Sequence, residues 1–244
     1  MIGFKEVSAD VPVVYEFDLT VNSKDRHHYL KVLSTDEKER LSRFKFLKDA
    51  DAYLIGKFTT RSLIGKYLSI SPADIEFSYS EHLKPHIKYP TTSMHFNLSH
   101  SYKKGMLIFS QKIEAGVDIE YIKATNDLDQ IAERFFSHKE VSKYLSLSKA
   151  DRVIGFFNCW TRKEAFIKAI GDGLSFPLDK FEVTLKPNEK ARLVSTSFDP
   201  AEKDYWSLKS VQVSDSNYKA AFAIRQAIQE YKFSYLQPEN LIYA

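Results

Sequence analysis

The stretch Gly116-Val-Asp-Ile-Glu120 alternates acidic and apolar residues. On a β-strand, side chains two residues apart share a face, so Asp118 and Glu120 would point to one side and Val117 and Ile119 to the other. An exposed strand face is the commonest outcome of such alternation. Two carboxylates on one face can also bind a hard metal ion, because Mg²⁺ prefers oxygen ligands. The stretch therefore predicts a strand and leaves a metal site open.

A second stretch, Trp160-Thr-Arg-Lys-Glu-Ala-Phe-Ile-Lys168, has helical spacing. Trp160, Glu164 and Lys168 are four residues apart and would form one stripe. Glu164 could simply pair with Lys168 on a solvated face. The opposite side of the same helix is also apolar, however, which is typical of a helix packed on both sides, and a charged group in such a helix needs a partner. Glu164 is therefore a candidate third carboxylate.

Length, composition and charge are those of a globular protein with one large domain or two small ones. The chain has 244 residues, of which 43% are hydrophobic and 27% charged, and this composition excludes a disordered chain. A formal net charge of +3 is too weak to indicate nucleic-acid binding by itself. The N-terminal sequence lacks the pattern of a signal peptide, so we expect a cytoplasmic protein. Cys159 is the only cysteine and is expected to be a buried structural thiol.

Strand-rich and helix-rich segments occur in both halves of the chain, which predicts two α+β lobes with a seam near residues 112–120. Two Ser-x-x-Glu capping boxes begin helices at Ser34 and Ser137. The predicted helices lie within 34–69, 131–136, 141–147 and 152–170. The predicted strands are 11–19, 75–80, 86–88, 95–98, 106–109 and 113–121 (these last two as a hairpin), 181–185, 191–194, 205–213 and 219–225.

A third polar segment, Phe96-Asn-Leu-Ser-His-Ser101, is expected to be a short strand followed by a loop. Its Ser-His-Ser end could donate hydrogen bonds to a phosphate, although an ordinary turn is the alternative. Neither of the standard glycine-rich phosphate-binding loops occurs in the chain. Phosphate binding by either of these loops is therefore excluded.

Taken together, these segments resemble the 4'-phosphopantetheinyl transferases, in particular their long, two-lobed type. The resemblance covers roughly residues 36–185. The string Trp-x-x-Lys-Glu-Ala-x-x-Lys with an upstream Gly-x-Asp-x-Glu is highly specific to the family. It implies an α+β fold of two similar lobes related by a pseudo-twofold axis, with the active site at their interface. The N-terminal lobe would be residues 1–112, on the nucleotide side of coenzyme A. The C-terminal lobe would be residues 113–244, with the metal-binding carboxylates and the catalytic helix.

The resemblance also implies an activity and a role for each matching residue. The family moves the 4'-phosphopantetheine group from coenzyme A to a serine of an apo acyl or peptidyl carrier protein, depends on Mg²⁺, and releases adenosine 3',5'-bisphosphate. Asp118, Glu120 and Glu164 would bind Mg²⁺, Lys168 would contact the pyrophosphate of coenzyme A, and Glu164 is a candidate base for the carrier serine. The residues that would contact coenzyme A are Lys38, Arg40, Lys84, Pro85, Ser99, His100, Ser101 and Lys168.

The family resemblance leaves some features open. The loop His82-Leu-Lys-Pro85 stands where the family often has Tyr-Gly-Lys-Pro, and Leu83 cannot freely adopt the positive φ of a glycine. We expect this loop to alter the rim of the coenzyme A site, with Lys84 retained. Residues 121–127 fall where carrier proteins dock in the family. The enzyme is expected to be a monomer that binds its carrier transiently and uses neither nucleic acid nor a membrane. The alternatives are a non-catalytic module that binds coenzyme A or a carrier, and a Mg²⁺-dependent nuclease.

Overall fold

Helices and mainly antiparallel sheets make up the part of the chain that the computed structural model describes, residues 11–242. This confirms the predicted α+β class. None of the helices in this range is both long enough and apolar enough to cross a membrane. The prediction that the N-terminal sequence lacks a signal-peptide pattern rests largely on residues 1–10, which lie outside the described range.

The contacts within the chain divide it into two compact units. The N-terminal unit takes residues up to 112 and again from 230 onward, and the C-terminal unit is residues 113–229. The sequence prediction assigned the last fifteen or so residues to the C-terminal lobe. The structure differs because a strand at Lys232–Leu236 pairs in parallel with a strand at Val13–Asp18 and so belongs to the N-terminal unit.

The N-terminal unit is built on a four-stranded sheet against which a long helix packs. The strand order is β11-β1-β5-β4, and a separate hairpin is formed by β2 and β3. Leu54, Ile55 and Phe58 of the helix are buried against the sheet, which places the core of this unit there. The elements are β1 (Val13–Asp18), α1 (Arg26–Lys31), α2 (Thr35–Ser42), α3 (Leu47–Leu68), β2 (Glu76–Tyr79), β3 (Pro85–Tyr89), β4 (Met94–Ser101), β5 (Lys104–Gln111) and β11 (Lys232–Leu236).

The C-terminal unit is built around one helix that lies on a three-stranded antiparallel sheet. The order of that sheet is β6-β10-β9, and β7 and β8 form a separate hairpin. Helix α6 contacts β6 and β10 along its length. The elements are β6 (Ala115–Tyr121), α4 (Leu128–Phe135), α5 (His138–Leu145), α6 (Lys149–Ile170), β7 (Phe181–Val183), β8 (Leu193–Thr196), α7 (Glu202–Tyr205), β9 (Ser207–Val211) and β10 (Tyr218–Ile224).

Local sequence signals explain where several helices begin and end. Both predicted capping boxes are present, with Ser34 and Ser137 as the caps of α2 and α5. Helix α6 ends at Gly171, whose φ of 95° is the left-handed conformation that glycine adopts without strain. Cys159 is fully buried in α6, as predicted, and burial raises the pKa of its thiol. Cys159 therefore contributes to the packing of the core.

Two predictions about strands are wrong. The predicted hairpin of residues 106–109 with 113–121 does not form, because β5 pairs with β4 and β1 whereas β6 pairs with β10. The predicted loop at Ser99–Ser101 is also wrong, because β4 continues to Ser101, where it pairs with Lys104 of β5. The turn between them is only two residues long, which allows the ladder to extend to the end of both strands.

Candidate active site

Strand β6 places Asp118 in the interior of the C-terminal unit. Val117 and Ile119 are fully buried, and the side chain of Asp118 is also almost entirely buried, with 2% of the residue exposed. Asp118 lies opposite Ala221 of β10 in the antiparallel pair. The alternative of a solvent-exposed acidic face is therefore wrong for Asp118. A buried carboxylate requires a charged or hydrogen-bonding partner.

Gly116 allows α6 to approach β6 closely enough to provide that partner. A methyl group built on Gly116 would lie 2.8 Å from the carbonyl carbon of Lys168, and nearer still to Ala165 O and Ala169 N. All three atoms belong to the helix backbone and cannot rotate away. Because side chains alternate along a strand, Asp118 lies on the same face of β6 as Gly116 and so faces α6. The glycine is thus what lets the acidic face of the strand meet the helix.

Lys168 of α6 forms an ion pair with Asp118, with 2.5 Å between Lys168 Nζ and Asp118 Oδ1. Burial by itself would lower the pKa of Lys168, but the charge and hydrogen bond of Asp118, together with nearby carboxylates, raise it. The lysine therefore remains cationic at neutral pH. The alternative in which Glu164 pairs only with Lys168 on a solvated face does not fit this arrangement, because the lysine reaches across to the strand.

Glu164 lies one turn before Lys168, and its carboxyl has a strongly raised pKa. Its Oε1 atom is buried and accepts no hydrogen bond from any residue between 11 and 242. Burial, followed by the negative charges of Asp118 and Glu120, raises the pKa of Glu164 to about 7, although Lys168 acts in the opposite direction. A buried carboxylate oxygen with no donor is a costly feature unless a ligand supplies the missing interaction.

The chemistry of the donor set at this site fits a hard divalent cation. Asp118 and Glu120 project from β6 and Glu164 from α6, so the donor set consists of carboxylate oxygens alone, as Mg²⁺ prefers. A cation would provide the partner that Glu164 Oε1 lacks. It would also relieve the repulsion that raises the pKa of Glu164. These three carboxylates, together with Lys168, can hold a metal ion and an anionic substrate group.

Lys38 and Arg40 lie on the exposed side of α2 in the N-terminal unit. The guanidinium of Arg40 lies over the ring of Tyr53, 5.5 Å from its centroid. Arg40 also lines a cavity of about 640 Å³ with Asp36, Glu39, Arg43 and Phe44. Both side chains are available to an anionic ligand.

Lys84 lies in the tight turn between β2 and β3 and is mostly buried. Its backbone N–H donates to Ser80 Oγ at 3.1 Å, and its carbonyl accepts from the Ser80 N–H at 3.0 Å. Leu83 precedes it with a φ of 62° and is 77% exposed. The turn thus keeps the backbone conformation that suits a glycine, at the cost of strain in Leu83. Pro85 begins β3, and Lys84 and Pro85 both line a small cavity of about 70 Å³.

Ser99, His100 and Ser101 form the end of β4 in the same unit. Ser99 is buried, His100 is exposed and Ser101 is partly buried. Because neighbouring side chains on a strand point to opposite faces, His100 does not share a face with the two serines. The three residues therefore do not form the single polar loop that the sequence predicted.

Lys163, the residue just before Glu164, has a structural role that the sequence pattern does not predict. Lys163 is fully buried, and its Nζ lies 2.8 Å from Glu140 Oε2. It also donates to the carbonyls of Leu178 at 2.7 Å and Phe181 at 2.6 Å. Glu140 in turn accepts from the N–H of Val183 at 2.7 Å. The lysine therefore fixes α6 to α5 and β7. Its signal in the sequence was its place in the string Trp-x-x-Lys-Glu-Ala-x-x-Lys, where no role was assigned to it.

Comparison with known proteins identifies the family to which this site belongs. Residues 21–109 match the family described as "4'-phosphopantetheinyl transferase, N-terminal", and residues 114–223 match the "4'-phosphopantetheinyl transferase superfamily". The 4'-phosphopantetheinyl transferase HetI of Nostoc sp. is 36% identical over 79% of this chain and 78% of its own. The 4'-phosphopantetheinyl transferase Sfp of Bacillus subtilis is 37% identical over 69% and 73%. The L-aminoadipate-semialdehyde dehydrogenase-phosphopantetheinyl transferase of Mus musculus is 26% identical over 81% and 68%.

The chain belongs to the 4'-phosphopantetheinyl transferase family. It is an enzyme that uses coenzyme A to transfer phosphopantetheine to carrier proteins. None of these relatives supports the alternative of a non-catalytic binding module.

Proposed function

We propose that Asp118, Glu120 and Glu164 bind Mg²⁺ and form the catalytic centre of this transferase. The observation that carries the proposal is the buried Glu164 Oε1 atom, which has no hydrogen-bond donor within residues 11–242. Burial, together with the negative charges of Asp118 and Glu120, raises the pKa of this carboxyl. Three acids that repel one another in a buried site are a natural cation site.

The reaction is attack by the hydroxyl of a carrier serine on the phosphorus next to pantetheine, with adenosine 3',5'-bisphosphate as the leaving group. When bound, Mg²⁺ would supply charge stabilisation for the phosphate oxygens. Lys168 is a cation held in place by Asp118 at 2.5 Å. We assign it to the pyrophosphate, because a fixed cation costs no reorganisation when charge develops on the transferred group.

Glu164 has a second proposed role as the base that accepts the serine proton. Its pKa of about 7 in the metal-free protein suits proton transfer at neutral pH. A carboxylate that binds a metal is a weaker base, however. We therefore propose that Glu164 is primarily a metal ligand. Its second role is to accept the serine proton, directly or through one water molecule.

The residues that we propose to contact coenzyme A in the N-terminal unit are cationic or small and polar. Arg40 and Lys38 are exposed cations suited to the 3'-phosphate, and Lys84 is a cation held by a hydrogen-bonded turn. The strand end of β4 adds one imidazole and two hydroxyls. The full proposed set is Lys38, Arg40, Lys84, Pro85, Ser99, His100 and Ser101, with Lys168 from the C-terminal unit.

We further propose that residues 121–127, which begin at the last residue of β6, contact the acyl or peptidyl carrier protein, and that the enzyme binds its carrier transiently as a monomer. A formal net charge of +3 is compatible with an acidic partner. A cytoplasmic location is proposed because a chain with one cysteine, buried in α6, uses no disulfide of its own.

Mass spectrometry of an apo carrier protein incubated with coenzyme A and Mg²⁺ tests the proposal. The wild type should add one phosphopantetheine to the carrier, and Glu164→Gln should transfer it at least about a hundredfold more slowly. Glu133→Gln is the matched control, since Glu133 is an exposed acid on α4 of the same unit. A Glu164→Gln enzyme as fast as this control would contradict the assigned role.

A further inference from the structure

A long groove crosses the C-terminal unit between the turn of the β7–β8 hairpin and strand β9. It consists of two cavities of about 760 Å³ and 440 Å³. The two cavities adjoin each other, because they share Lys190 and Ala191 on the hairpin side and Leu208 and Lys209 on the β9 side. Neither the metal-site carboxylates nor Lys168 line it. The groove is thus a feature that the transferase reaction does not explain.

Positive charge dominates this groove. Among the described residues that line it, the acidic ones are Glu189 and Asp204, and the carboxylate of Glu189 already accepts from the Lys186 N–H at 3.2 Å. Among the described residues, none of the basic side chains of the groove forms an ion pair with a carboxylate. These basic residues are Arg162, Lys190, Arg192, Lys203, Lys209 and Lys219. In a chain whose whole net charge is +3, such a concentration of unpaired cations favours an anionic ligand.

Arg162 forms the floor of the larger cavity and is 3% exposed. Its guanidinium donates to the carbonyls of Thr184 at 2.5 Å and Glu189 at 3.1 Å, and to Ser210 Oγ at 3.2 Å. These neutral acceptors lie on the two walls, so Arg162 holds the hairpin and β9 at a fixed separation. Burial lowers the pKa of Arg162 to about 10, and the side chain therefore still carries its charge at neutral pH.

The back of α6 is what separates this groove from the catalytic centre. Arg162 and Glu164 are two residues apart on the helix, so they point to nearly opposite sides. Asn158, one turn before Arg162, also lines the groove and donates to the carbonyl of Leu185 at 3.1 Å. The helix therefore carries one carboxylate of the metal site on one side and a buried cation on the other.

We propose that this groove binds an extended, acidic segment of a partner polypeptide. A chain occupant fits better than a single small anion, because the cations are distributed along both cavities. Lys190 and Arg192 are two residues apart and stand immediately before β8. Carboxylates two residues apart on an extended chain share one face and have a similar spacing. Partly buried apolar side chains of the groove, Val194 and Trp206, can contact the alternate residues of the same segment.

Fluorescence anisotropy with a labelled eight-residue peptide of alternating glutamate and valine tests the proposal without coenzyme A or metal. The peptide should bind saturably, and the double variant Lys190→Gln/Lys209→Gln should bind it roughly three- to thirtyfold more weakly. Added salt should also weaken binding. Lys143→Gln/Lys149→Gln is the matched control, because these lysines are exposed in the same unit and line neither cavity.

Four results would overturn the proposal. The first is no saturable binding of the glutamate peptide by a protein whose thermal melting is normal. The second is an equal loss of binding in the two double variants, which would indicate nonspecific attraction. The third is binding of inorganic tripolyphosphate, sensitive to Lys190→Gln/Lys209→Gln, in the absence of peptide binding, which would make the groove a phosphate site. The fourth is equal binding of an alternating glutamine–valine peptide. This neutral peptide should not bind, and its binding would show that the groove does not select for negative charge.

Discussion

Replacing Gly116 with alanine should separate strand β6 from helix α6 and thereby damage the catalytic centre. The new methyl group would lie 2.8 Å from the Lys168 carbonyl carbon and closer to two further backbone atoms of the helix. Carbon atoms in contact normally lie about 3.5–4.0 Å apart, so the helix or the strand must move by on the order of 1 Å. No side-chain rotation can relieve the clash.

The expected magnitude follows from that displacement. Overpacking of this kind costs about 1–3 kcal/mol, which corresponds to a melting temperature lower by roughly 2–12 °C for a chain of this size. A shift of about 1 Å between Asp118 on the strand and Glu164 on the helix should slow transfer about a hundredfold. The activity should therefore fall further than the loss of stability alone would explain, since most of the protein remains folded at 25 °C.

Thermal melting and the initial rate of carrier modification measure the two effects. Gly155→Ala is the matched control, because Gly155 lies on α6 and its new methyl group would meet Leu147 Cδ1, the end of a flexible side chain, at 2.5 Å. Alanine is also the better helix former. A Gly116→Ala protein with the melting temperature and rate of the wild type would refute the close-approach argument.

Three further predictions concern a strained turn, a proton and a buried ion pair. Leu83→Gly should stabilise the protein to urea by about 0.5–1 kcal/mol, because Leu83 has a φ of 62° and is 77% exposed; unchanged stability would contradict the strain. Burial and neighbouring acids raise the pKa of Glu164 to about 7, so at pH 6 this carboxyl is mostly protonated and Mg²⁺ binding should release a proton. Affinity for Mg²⁺ should rise with pH up to about 7 and then level off, and calorimetry in two buffers of different ionisation enthalpy should show no such release for Glu164→Gln. Lys163→Met should lower the melting temperature by about 10 °C, because it leaves Glu140 buried without its cation; a normal melting curve would show that the pair is dispensable.

The strongest parts of the fold could be predicted from local pattern. Helix α6 was recognised because it is apolar on both sides and ends at a glycine, and the observed Lys149–Ile170 contains the predicted 152–170. The two capping boxes located the starts of α2 and α5. These signals are local, since a cap or a helical stripe is decided within a few residues.

Strand pairing could not be predicted in the same way. The pattern of residues 113–121 identified a strand, but its partner β10 lies about a hundred residues further along the chain. The sequence-adjacent strand was the natural partner to expect, and it was wrong. The return of β11 to pair with β1 was missed for the same reason. Periodicity reports which residues are buried and not which strand they meet.

The spacing of residues is enough to identify the metal-site carboxylates. Their ion pair and burial can be known only from the structure. Spacing placed Asp118 and Glu120 on one face and Glu164 on a sandwiched helix. The ion pair of Lys168 with Asp118 depends on Gly116 letting the two elements approach, which no local pattern encodes. Lys163 was overlooked because a lysine on a helix is usually solvated, whereas this one is fully buried.

Electron paramagnetic resonance of bound Mn²⁺, used in place of Mg²⁺, tests the central claim most directly. The wild type should bind the metal saturably, and Asp118→Asn, Glu120→Gln and Glu164→Gln should each weaken binding by on the order of tenfold or more, because carboxylate ligands suit both ions. Glu133→Gln should bind as the wild type does. Unchanged Mn²⁺ affinity in Glu164→Gln would contradict a metal centre built from these three carboxylates.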